Sequence, residues 1–557
     1  MGFSELALLL SVAAGFGILA KALRQPLLIG YLAAGIVLSY FGVLKDPDAV
    51  SSLGKIGVAL LLFLVGLEMN FRELPTIGKV AGLAGLGQIV FTSLIGFGIA
   101  SLLGFSTIAA IYIAVALTFS STIIGIKLLS EKNDLGSLYG KIAIGILLVQ
   151  DLVAIVILMF LSGLGETEPN LTQFLVVALK GIGLFAVVIL LSKKILPYIF
   201  EKFISASAEL LFVVSIAWAL GFSALVGGPL GFSFEIGGFL AGLSLSNLPE
   251  HLGIASKTRP LRDFFLTIFF LTLGTQLFVG NLGAVVVPAI IFSAFVIIGH
   301  PLIILPIMGI LRYKKRTSFL ASVTLAQISE FSLILVTMGA SLGHISQSEV
   351  GVIVMVGVVT MIASSYLISG AEKIYPFVKN FLSIFERTNT QEGVLLEDRE
   401  LSDHIVLIGC DRTGSSLLRY FEKKGLALLV VDFNPKIYMR LAADGKSVLF
   451  GDINDPDILE LCKMERARYV ISTVSVLNEN LTVLEFLRGL GRKPISIFTA
   501  STKEEALKLY NAGATYVLVP SVIAGEYLRH MFLAHGMGEE RFKKMGKGHF
   551  NRLMNRY

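Results

Sequence analysis

The chain has 557 residues, of which 55% are hydrophobic and only 15% are charged, and its mean hydropathy is +0.80. Because an ordinary soluble domain carries about 25% charged residues, this composition excludes a wholly soluble protein and indicates a polytopic membrane protein with a soluble part attached. The formal net charge of +6 is modest. Both cysteines, Cys410 and Cys462, fall in the soluble part, which excludes a disulfide scaffold and fits a reducing compartment.

Windows of about 20 apolar residues recur along the first two thirds of the chain and predict thirteen transmembrane helices. No basic segment precedes the first window, so we interpret it as a span and not as a cleaved signal peptide. The windows are residues 3–23, 27–44, 53–69, 80–104, 107–129, 139–162, 171–192, 208–226, 230–247, 263–280, 283–311, 317–342 and 348–370.

The distribution of basic residues predicts the orientation of these helices. Loops after odd-numbered windows are rich in Lys and Arg, whereas the intervening loops hold almost none beyond Lys45 and Lys55. By the positive-inside rule, the N-terminus lies outside and the C-terminal soluble part lies in the cytoplasm. The basic residues after the odd windows include Arg24, Lys127, Lys132, Lys141, Lys193, Lys194, Lys202, Lys257, Arg259, Arg262, Arg312, Lys314, Lys315 and Arg316.

The sixth window contains the pair Gln150-Asp151 within an apolar run from Ile142 to Leu161. Keeping a carboxylate charged at that depth costs roughly 2.5–3.5 kcal/mol on insertion scales. An acid held there is suited to exchanging a proton for a metal cation. The alternative is a structural acid that binds a helix end or pairs with a neighbouring helix.

Two other windows are interrupted by polar clusters. The fifth contains Thr118-Phe119-Ser120-Ser121-Thr122, and the twelfth contains Gln327-Ile328-Ser329-Glu330-Phe331. Secondary transporters place broken helices at matching positions of two inverted repeats, with the ion site between them. Windows one to six and eight to thirteen would be such repeats, with the seventh as a linker. Taken singly, each cluster is also explained by hydroxyl groups that join helices.

The sequence becomes polar and acidic after residue 380. Residues 381–402 are the predicted linker between a transmembrane domain, residues 1–380, and a soluble domain, residues 403–525, in which strands and helices alternate. That alternation predicts an open, doubly wound α/β sheet of the Rossmann type. A basic tail, residues 526–557, is expected either to contact anionic lipid or to form a solvated helix. The predicted strands are His404–Gly409, Ala427–Asp432, Ser447–Phe450, Tyr469–Thr473, Ser496–Thr499 and Tyr516–Val519.

A candidate nucleotide site follows the first of these strands. A glycine-containing turn at a helix N-terminus forms an anion site for a phosphate or pyrophosphate. An acidic residue at the end of the second strand, here Asp432, accepts hydrogen bonds from ribose hydroxyls. The predicted site comprises Gly409, Cys410, Asp411, Arg412, Thr413, Gly414, Asp432, Gly451, Asp452 and Thr473.

One position departs from the G-x-G-x-x-G pattern, because its middle glycine is Asp411 here. A negative side chain then lies where the backbone would approach a pyrophosphate, which favours a mononucleotide or a dinucleotide shifted in the cleft. Arg412 can offset that charge by reaching a phosphate. An empty or purely structural cleft is the alternative. No catalytic domain accompanies the module, so we expect a sensor and not an enzyme.

Together these motifs resemble a known family. The membrane part resembles the monovalent cation:proton antiporter-2 family, the soluble part resembles the RCK or KTN (TrkA-N) domain, and their order resembles Kef-type potassium efflux systems. The resemblance covers residues 1 to about 525. Its carriers are Leu62–Glu68, Phe119–Thr122, Gln150-Asp151, Gly237–Gly242, Phe269-Phe270 through Gly274, Gln327–Phe331 and the nucleotide motif.

The resemblance implies a multi-pass protein of the bacterial inner membrane, a homodimer, that exchanges K⁺ for H⁺ through an elevator-like core. Cation and proton would compete for Asp151, and Gln150 would supply a neutral oxygen ligand to the transported K⁺. The expected regulatory ligand is an adenine nucleotide (AMP, ATP or NAD(H)), without a redox cofactor. Membrane lipid and a small cytosolic regulator are further expected partners, and nucleic acid is not. The expected ion- and proton-binding residues are Asp151, Gln150, Ser120, Ser121, Thr122, His300 and Glu330.

His300 stands where relatives of this family often carry a lysine that can pair with the site carboxylate. One hypothesis is that His300 helps to set the pH at which Asp151 releases its proton. The other is a neutral histidine that hydrogen-bonds backbone freed by Pro301.

Two other functions remain in competition with K⁺/H⁺ exchange. Na⁺/H⁺ exchange is the alternative of the same class, because the oxygen ligands alone do not settle selectivity. A nucleotide-gated potassium channel is the alternative of a different class. It predicts a filter of the Thr-Val-Gly-Tyr-Gly type, which the sequence does not contain.

Overall fold

The computed structural model describes residues 3–23, 25–41, 47–68, 78–132, 134–164, 171–204, 207–276, 282–387, 392, 401–535 and 539–554. The chain divides into two compact units, Met1–Thr388 and Asn389–Tyr557. The first unit is helical and the second contains a parallel sheet.

Each of the thirteen predicted windows coincides with one helix or with an interrupted pair. Within the described ranges, seven helices are long and apolar enough to cross a membrane, and shorter apolar helices lie among them. The chain is therefore a multi-pass membrane protein, and thirteen crossings stay a prediction. The helices are α1 Phe3–Ala22, α2 Leu27–Tyr40, α3 Pro47–Glu68, α4 Gly78–Leu102, α5 Thr107–Ala116, α6 Thr122–Glu131, α7 Leu138–Leu164, α8 Leu171–Leu190, α9 Leu196–Ile199, α10 Ala208–Gly227, α11 Phe234–Leu245, α12 His251–Gln276, α13 Leu282–Ala294, α14 His300–Ile310, α15 Lys315–Thr324, α16 Glu330–Ser341 and α17 Gln347–Leu382.

Both predicted interruptions are present. The fifth window is divided into α5 and α6, and the twelfth into α15 and α16. The eleventh window has a π-helical turn, Phe295–Gly299, between α13 and α14. This turn lies directly before His300 and Pro301, and π-helical turns inside helices are frequent at functional sites.

Glycines allow close helix packing around α3. A Cβ on Gly242 of α11 would overlap the carbonyl oxygen of Phe63 in α3, and one on Gly238 would overlap that of Ala59. Small residues at helix contacts let backbones approach in membranes, where no hydrophobic effect drives helices together. This packing accounts for Gly238 and Gly242 of the Gly237–Gly242 motif, whereas a Cβ on Gly237 would overlap Ser223 of α10.

The second unit contains a six-stranded, all-parallel sheet with strand order β3-β2-β1-β4-β5-β6, which confirms the predicted doubly wound fold. The buried strands are β1 Ile405–Ile408, β2 Leu428–Asp432, β3 Val448–Phe450, β4 Tyr469–Ser472, β5 Ile495–Thr499 and β6 Tyr516–Leu518. The helices are α18 Arg412–Lys423, α19 Pro435–Ala443, α20 Pro456–Leu461, α21 Leu477–Arg488, α22 Lys503–Asn511, α23 Pro520–His535 and α24 Glu539–Met554.

The predicted linker begins inside a helix, because α17 continues to Leu382. Most of the remaining predicted linker, residues 388–391 and 393–400, lies outside the described residues. The predicted basic tail contains the end of α23 and all of α24.

Candidate functional site

The site is built where the two interrupted helices meet. α5 ends at Ala116 and α6 begins at Thr122, so five residues lie between the two helices. The corresponding gap between α15 and α16 also holds five residues, 325–329. The hydroxyl of Ser120 donates to the carbonyl of Leu325 at 2.9 Å, and the Gln327 amide donates to the carbonyl of Ser121 at 3.4 Å. The two gaps are therefore adjacent, as the matching polar clusters predict.

Asp151 lies on α7 beside the start of α6 and is 4% exposed. The Thr122 hydroxyl donates to its Oδ2 at 2.9 Å. Its other carboxylate oxygen, Oδ1, is buried and has no hydrogen-bond partner among the described residues. A buried polar atom normally finds a partner, so this oxygen is available to a proton or a cation.

Gln150 and Gln88 form a chain of amides beside the first gap. The Ser120 backbone N–H donates to Gln150 Oε1 at 3.0 Å, and Gln150 Nε2 donates to Gln88 Oε1 at 2.7 Å. Gln88 Nε2 in turn donates to the Thr118 carbonyl at 3.1 Å. Both glutamines are fully buried. These two amide side chains thus satisfy one backbone N–H, of Ser120, and one backbone C=O, of Thr118, which the helix break leaves without helical partners.

Glu330 lies where the two second half-helices begin. It is the first residue of α16, and its carboxylate oxygens lie 3.0 and 3.2 Å from the hydroxyl of Ser121, the N-cap of α6. The Ser329 hydroxyl also donates to it, at 3.4 Å. Helix N-termini carry partial positive charge, so a carboxylate that contacts both helix starts stabilises them.

His300 lies where the two first half-helices end. Its Nε2 is 2.9 Å from the carbonyl oxygen of Leu117, which follows α5, and its Nδ1 is 2.9 Å from that of Leu325, which follows α15. A neutral imidazole donates through one nitrogen only, whereas an imidazolium donates through both. Donating to both carbonyls therefore requires the charged ring, which also balances the partial negative charge of two helix C-termini. A neutral ring would donate to one of them, and the Leu325 carbonyl also accepts from Ser120. Burial opposes that charge.

The structure thus brings the predicted ion-site residues together at the two gaps. The two ring nitrogens of His300 contact backbone carbonyls at both helix ends, and neither of these two hydrogen bonds joins it to Asp151. Its partners are also not the backbone that Pro301 frees, so the hydrogen bonds differ from those of the second hypothesis. That His300 helps to set the pH of proton release stays a prediction.

Sequence reasoning missed Gln88. Its only signal was a polar pair, Gln88 and Thr92, spaced one helical turn apart inside the apolar fourth window, and Gln88 Nε2 does lie 3.1 Å from Thr92 Oγ1.

The second unit places the glycine-containing turn at the carboxyl end of β1. Gly409 has a φ of +81°, a left-handed conformation that favours glycine. A Cβ on Gly414, in the first turn of α18, would overlap the carbonyl oxygen of Gly409. The Thr473 hydroxyl donates to that same carbonyl at 2.9 Å. These contacts hold the turn tightly against the helix start, as phosphate-binding turns require.

Asp432 and Asp452 lie at the carboxyl ends of β2 and β3. Asp432 accepts from the backbone N–H groups of Cys410 and Asn434, at 2.8 Å each. Asp452 is 2% exposed and accepts from the N–H of Asn454. Asp411 is exposed at the N-cap of α18 and makes no capping bond through its side chain. The side chain of Arg412 lies outside the described residues.

Alkylation of the two thiols tests whether the cysteine side chains of the second unit are buried as described. Cys410 and Cys462 are fully buried, and burial, with the nearby Asp432 carboxylate, raises the pKa of the Cys410 thiol to about 11. The thiolate is the reactive form, so we expect neither cysteine of the folded protein to be alkylated by iodoacetamide at pH 8. Mass spectrometry should find both labelled only after unfolding in guanidinium. Rapid labelling of Cys410 in the native protein would contradict this burial.

No group of three or more His, Cys, Asp or Glu side chains suited to a bound metal occurs in the described part of the chain. The gaps instead present one carboxylate oxygen and neutral oxygens. Gln327 adds one of these, because its Oε1 is buried without a partner among the described residues. Such ligands suit a hard monovalent cation that must leave again, with no soft donor to hold a transition metal.

Comparisons with known proteins agree with this arrangement. The family described as sodium/hydrogen exchanger, transmembrane, matches residues 7–369, and the TrkA-N domain matches residues 405–520. YbaL of Escherichia coli (strain K12) is 27% identical, covering 82% of this chain and 84% of that protein. The glutathione-regulated potassium-efflux system protein KefC of Escherichia coli O45:K1 is 26% identical over 83% of this chain and 73% of its own. K(+) efflux antiporter 5 of Arabidopsis thaliana is 30% identical, over 62% of each chain.

One solved structure shares the membrane fold. The sodium proton antiporter MjNhaP1 from Methanocaldococcus jannaschii is 15% identical, with a TM-score of 0.50, covering 68% of this chain and 97% of that one. At this identity the likeness shows the fold alone. The family match covers more than half of the chain and the TrkA-N domain follows it. The chain therefore belongs to the sodium/hydrogen exchanger family, as a Kef-type cation/proton antiporter with a C-terminal TrkA-N domain.

Proposed function

We propose that this protein exchanges K⁺ for H⁺, with Asp151 holding either a proton or the cation. The observation that carries the proposal is the buried Oδ1 of Asp151, which lacks a partner among the described residues. Glu330, by contrast, accepts hydroxyl bonds on both carboxylate oxygens and is assigned to the helix starts. With a single exchanging carboxylate, one cation replaces one proton and the exchange is electroneutral.

The preference for K⁺ over Na⁺ rests on the oxygen ligands and on relatives named for potassium efflux. The oxygen of Gln150 is neutral and already accepts one backbone hydrogen bond, so it offers a weaker field than a second carboxylate. Large K⁺ loses its water more readily than Na⁺ and tolerates such ligands better. Na⁺/H⁺ exchange is the second candidate, since the family that matches residues 7–369 is described as sodium/hydrogen exchanger.

Purified protein in liposomes separates these candidates. Lumenal pH is followed while K⁺ or Na⁺ is added outside, at matched concentrations. K⁺ should change the lumenal pH at lower concentration than Na⁺. A response to Na⁺ alone would favour the second candidate, and cation flux without proton movement would contradict antiport.

We further infer that the TrkA-N domain regulates transport by binding an adenine nucleotide on the first turn of α18. Gly409, Gly414 and Thr473 hold the turn, and Asp432 and Asp452 lie at the adjacent strand ends. Two backbone N–H groups hold the Asp432 carboxylate at the end of β2, beside the turn, where the ribose of the nucleotide is expected to lie.

Gly414→Ala tests this nucleotide site. The added methyl group would overlap the Gly409 carbonyl, so we expect affinity for AMP, ATP, NAD⁺ or NADH to fall at least about tenfold. Isothermal titration calorimetry of the purified full chain measures the change. Gly525→Ala is the matched control, since a Cβ there meets nothing within 4 Å. Unchanged affinity in Gly414→Ala would place the nucleotide elsewhere.

The proposal also covers the membrane orientation, the oligomeric state and the partners of the protein. The N-terminus lies outside and the TrkA-N domain in the cytoplasm of the bacterial inner membrane, as the Lys and Arg distribution predicts. The protein acts as a homodimer, and the basic residues of α24 and its flanks contact anionic lipid. A small cytosolic regulator would act through the same domain.

A further inference from the structure

We propose that Gln88 is a positioning residue for transport, because it fixes the direction in which the Gln150 amide points. This inference rests on the proposed cation site at Asp151. Gln88 lies on α4, 62 positions before Gln150 in sequence, and is fully buried. The family match alone gives it no role.

The orientation of the Gln88 amide follows from its neighbours. The carbonyl oxygen of Thr118 can only accept, so the Gln88 atom that lies 3.1 Å from it is the NH₂ group. The Gln88 oxygen therefore faces α7. It lies 2.7 Å from the Gln150 side chain, which must present its own NH₂ group there.

The orientation of the Gln150 amide is determined in the same way. With its NH₂ group on Gln88, its oxygen points to the gap between α5 and α6, where it accepts from the Ser120 N–H at 3.0 Å. A carbonyl oxygen has two lone pairs, and Ser120 uses one. Gln88 thereby directs a neutral oxygen, and not an amide NH₂ group, toward the residues that surround Asp151.

Loss of the Gln88 oxygen would leave the Gln150 NH₂ group buried without an acceptor. The amide would then reorient to find one and withdraw its oxygen from the gap. A cation would meet one oxygen ligand fewer, whereas the proton site on Asp151 would remain. The effect should appear in cation affinity and in K⁺/Na⁺ discrimination more than in the maximal exchange rate.

Gln88→Met tests this inference, because methionine has similar length but accepts hydrogen bonds only weakly. In liposome exchange, we expect the KM for K⁺ to rise at least about tenfold and the K⁺/Na⁺ ratio of kcat/KM to fall, with kcat changed less than about threefold. Gln25→Met is the matched control. Gln25 is also buried, and neither of its amide atoms has a partner among the described residues. The control should match wild type, and an equal effect in it would overturn the inference.

Two further variants distinguish positioning from mere structural support. In its protonated form, Gln88→Glu keeps an oxygen that accepts from Gln150 and a hydroxyl that donates to the Thr118 carbonyl, so it should restore the KM for K⁺ to within about threefold of wild type. In a Gln150→Met background, Gln88→Met should add no further rise in KM, because Gln88 acts through Gln150. Independent, additive effects would overturn the proposal. If Gln88→Met does not fold, two other measurements still test the inference. These are the KM for K⁺ of Gln88→Glu and the K⁺/Na⁺ selectivity of Gln150→Met, which should fall.

Failure of this inference is distinguishable from failure of the proposed function. If wild type exchanges K⁺ for H⁺ and Asp151→Asn does not, but Gln88→Met behaves as wild type, only the role of Gln88 is wrong. If Asp151→Asn still exchanges, the proposed site itself is wrong.

Discussion

Asp151→Asn should reduce cation-driven proton exchange in liposomes to the background of protein-free vesicles. Asparagine has nearly the same shape and can still accept from the Thr122 hydroxyl, so the helix packing should be retained. It cannot bind and release a proton, however, and it presents no negative charge to a cation. The loss should be equal for K⁺ and Na⁺, and lumenal pH measured with a trapped fluorescent dye records it.

Asp263→Asn is the matched control for this variant. It makes the same chemical change on α12, where the Asp263 carboxylate is largely exposed and pairs with its neighbour Arg262. Exchange in the control should equal that of wild type. Measurable exchange by Asp151→Asn in well-folded protein would show that another group carries the proton.

His300→Leu should lower the exchange rate at least about tenfold and reduce the thermal stability of the protein. It leaves the carbonyl of Leu117 without its side-chain donor, and a buried, unsatisfied acceptor costs about 1–3 kcal/mol. The carbonyl of Leu325 loses one of its two donors and keeps the Ser120 hydroxyl. The substitution removes a hydrogen bond at the end of α5 and another at the end of α15. We therefore expect a large decrease in both exchange rate and thermal stability. Exchange assays and fluorescence-monitored thermal unfolding measure the two effects.

Two other substitutions at this position separate charge from hydrogen bonding. Lysine carries donors at every pH and is intrinsically a much stronger base than histidine, so it keeps its positive charge to higher pH than the histidine does. His300→Lys should therefore restore exchange and extend it to higher pH than in wild type. Glutamine donates without charge. If His300→Gln keeps the wild-type stoichiometry and pH midpoint, His300 does not set the pH at which Asp151 exchanges its proton.

The parts of the fold that could be predicted were those that depend on residues close together in the sequence. Uniform apolar runs predicted the strands to within a residue or two, because a parallel strand is buried on both faces. The gaps were predicted because hydroxyl and amide residues interrupt apolar windows. Hydropathy failed at the helix ends. α12 begins at His251, twelve residues before its window, because its first turns carry Lys257, Arg259 and Arg262 and a window scores only apolar residues.

The amide chain and the helix-end contacts could not be predicted because they join distant residues. Gln88 contacts Thr118 and Gln150, which are 30 and 62 positions away, and His300 contacts Leu117, which is 183 positions away. The sequence indicates that such polar residues are expensive in a membrane, but not which backbone group each one satisfies. It also led us to pair His300 with a carboxylate, whereas the ring contacts carbonyls.

The central claim is that a proton and a cation compete for Asp151, and proton release on cation binding tests it most directly. Solubilised protein in weakly buffered solution receives KCl while a pH indicator reports released protons, with choline chloride as the ionic-strength control. Binding should release about one proton per chain at a pH where Asp151 is protonated, and Asp151→Asn should release none. K⁺ binding shown by calorimetry without proton release, or unchanged release in the variant, would contradict the account.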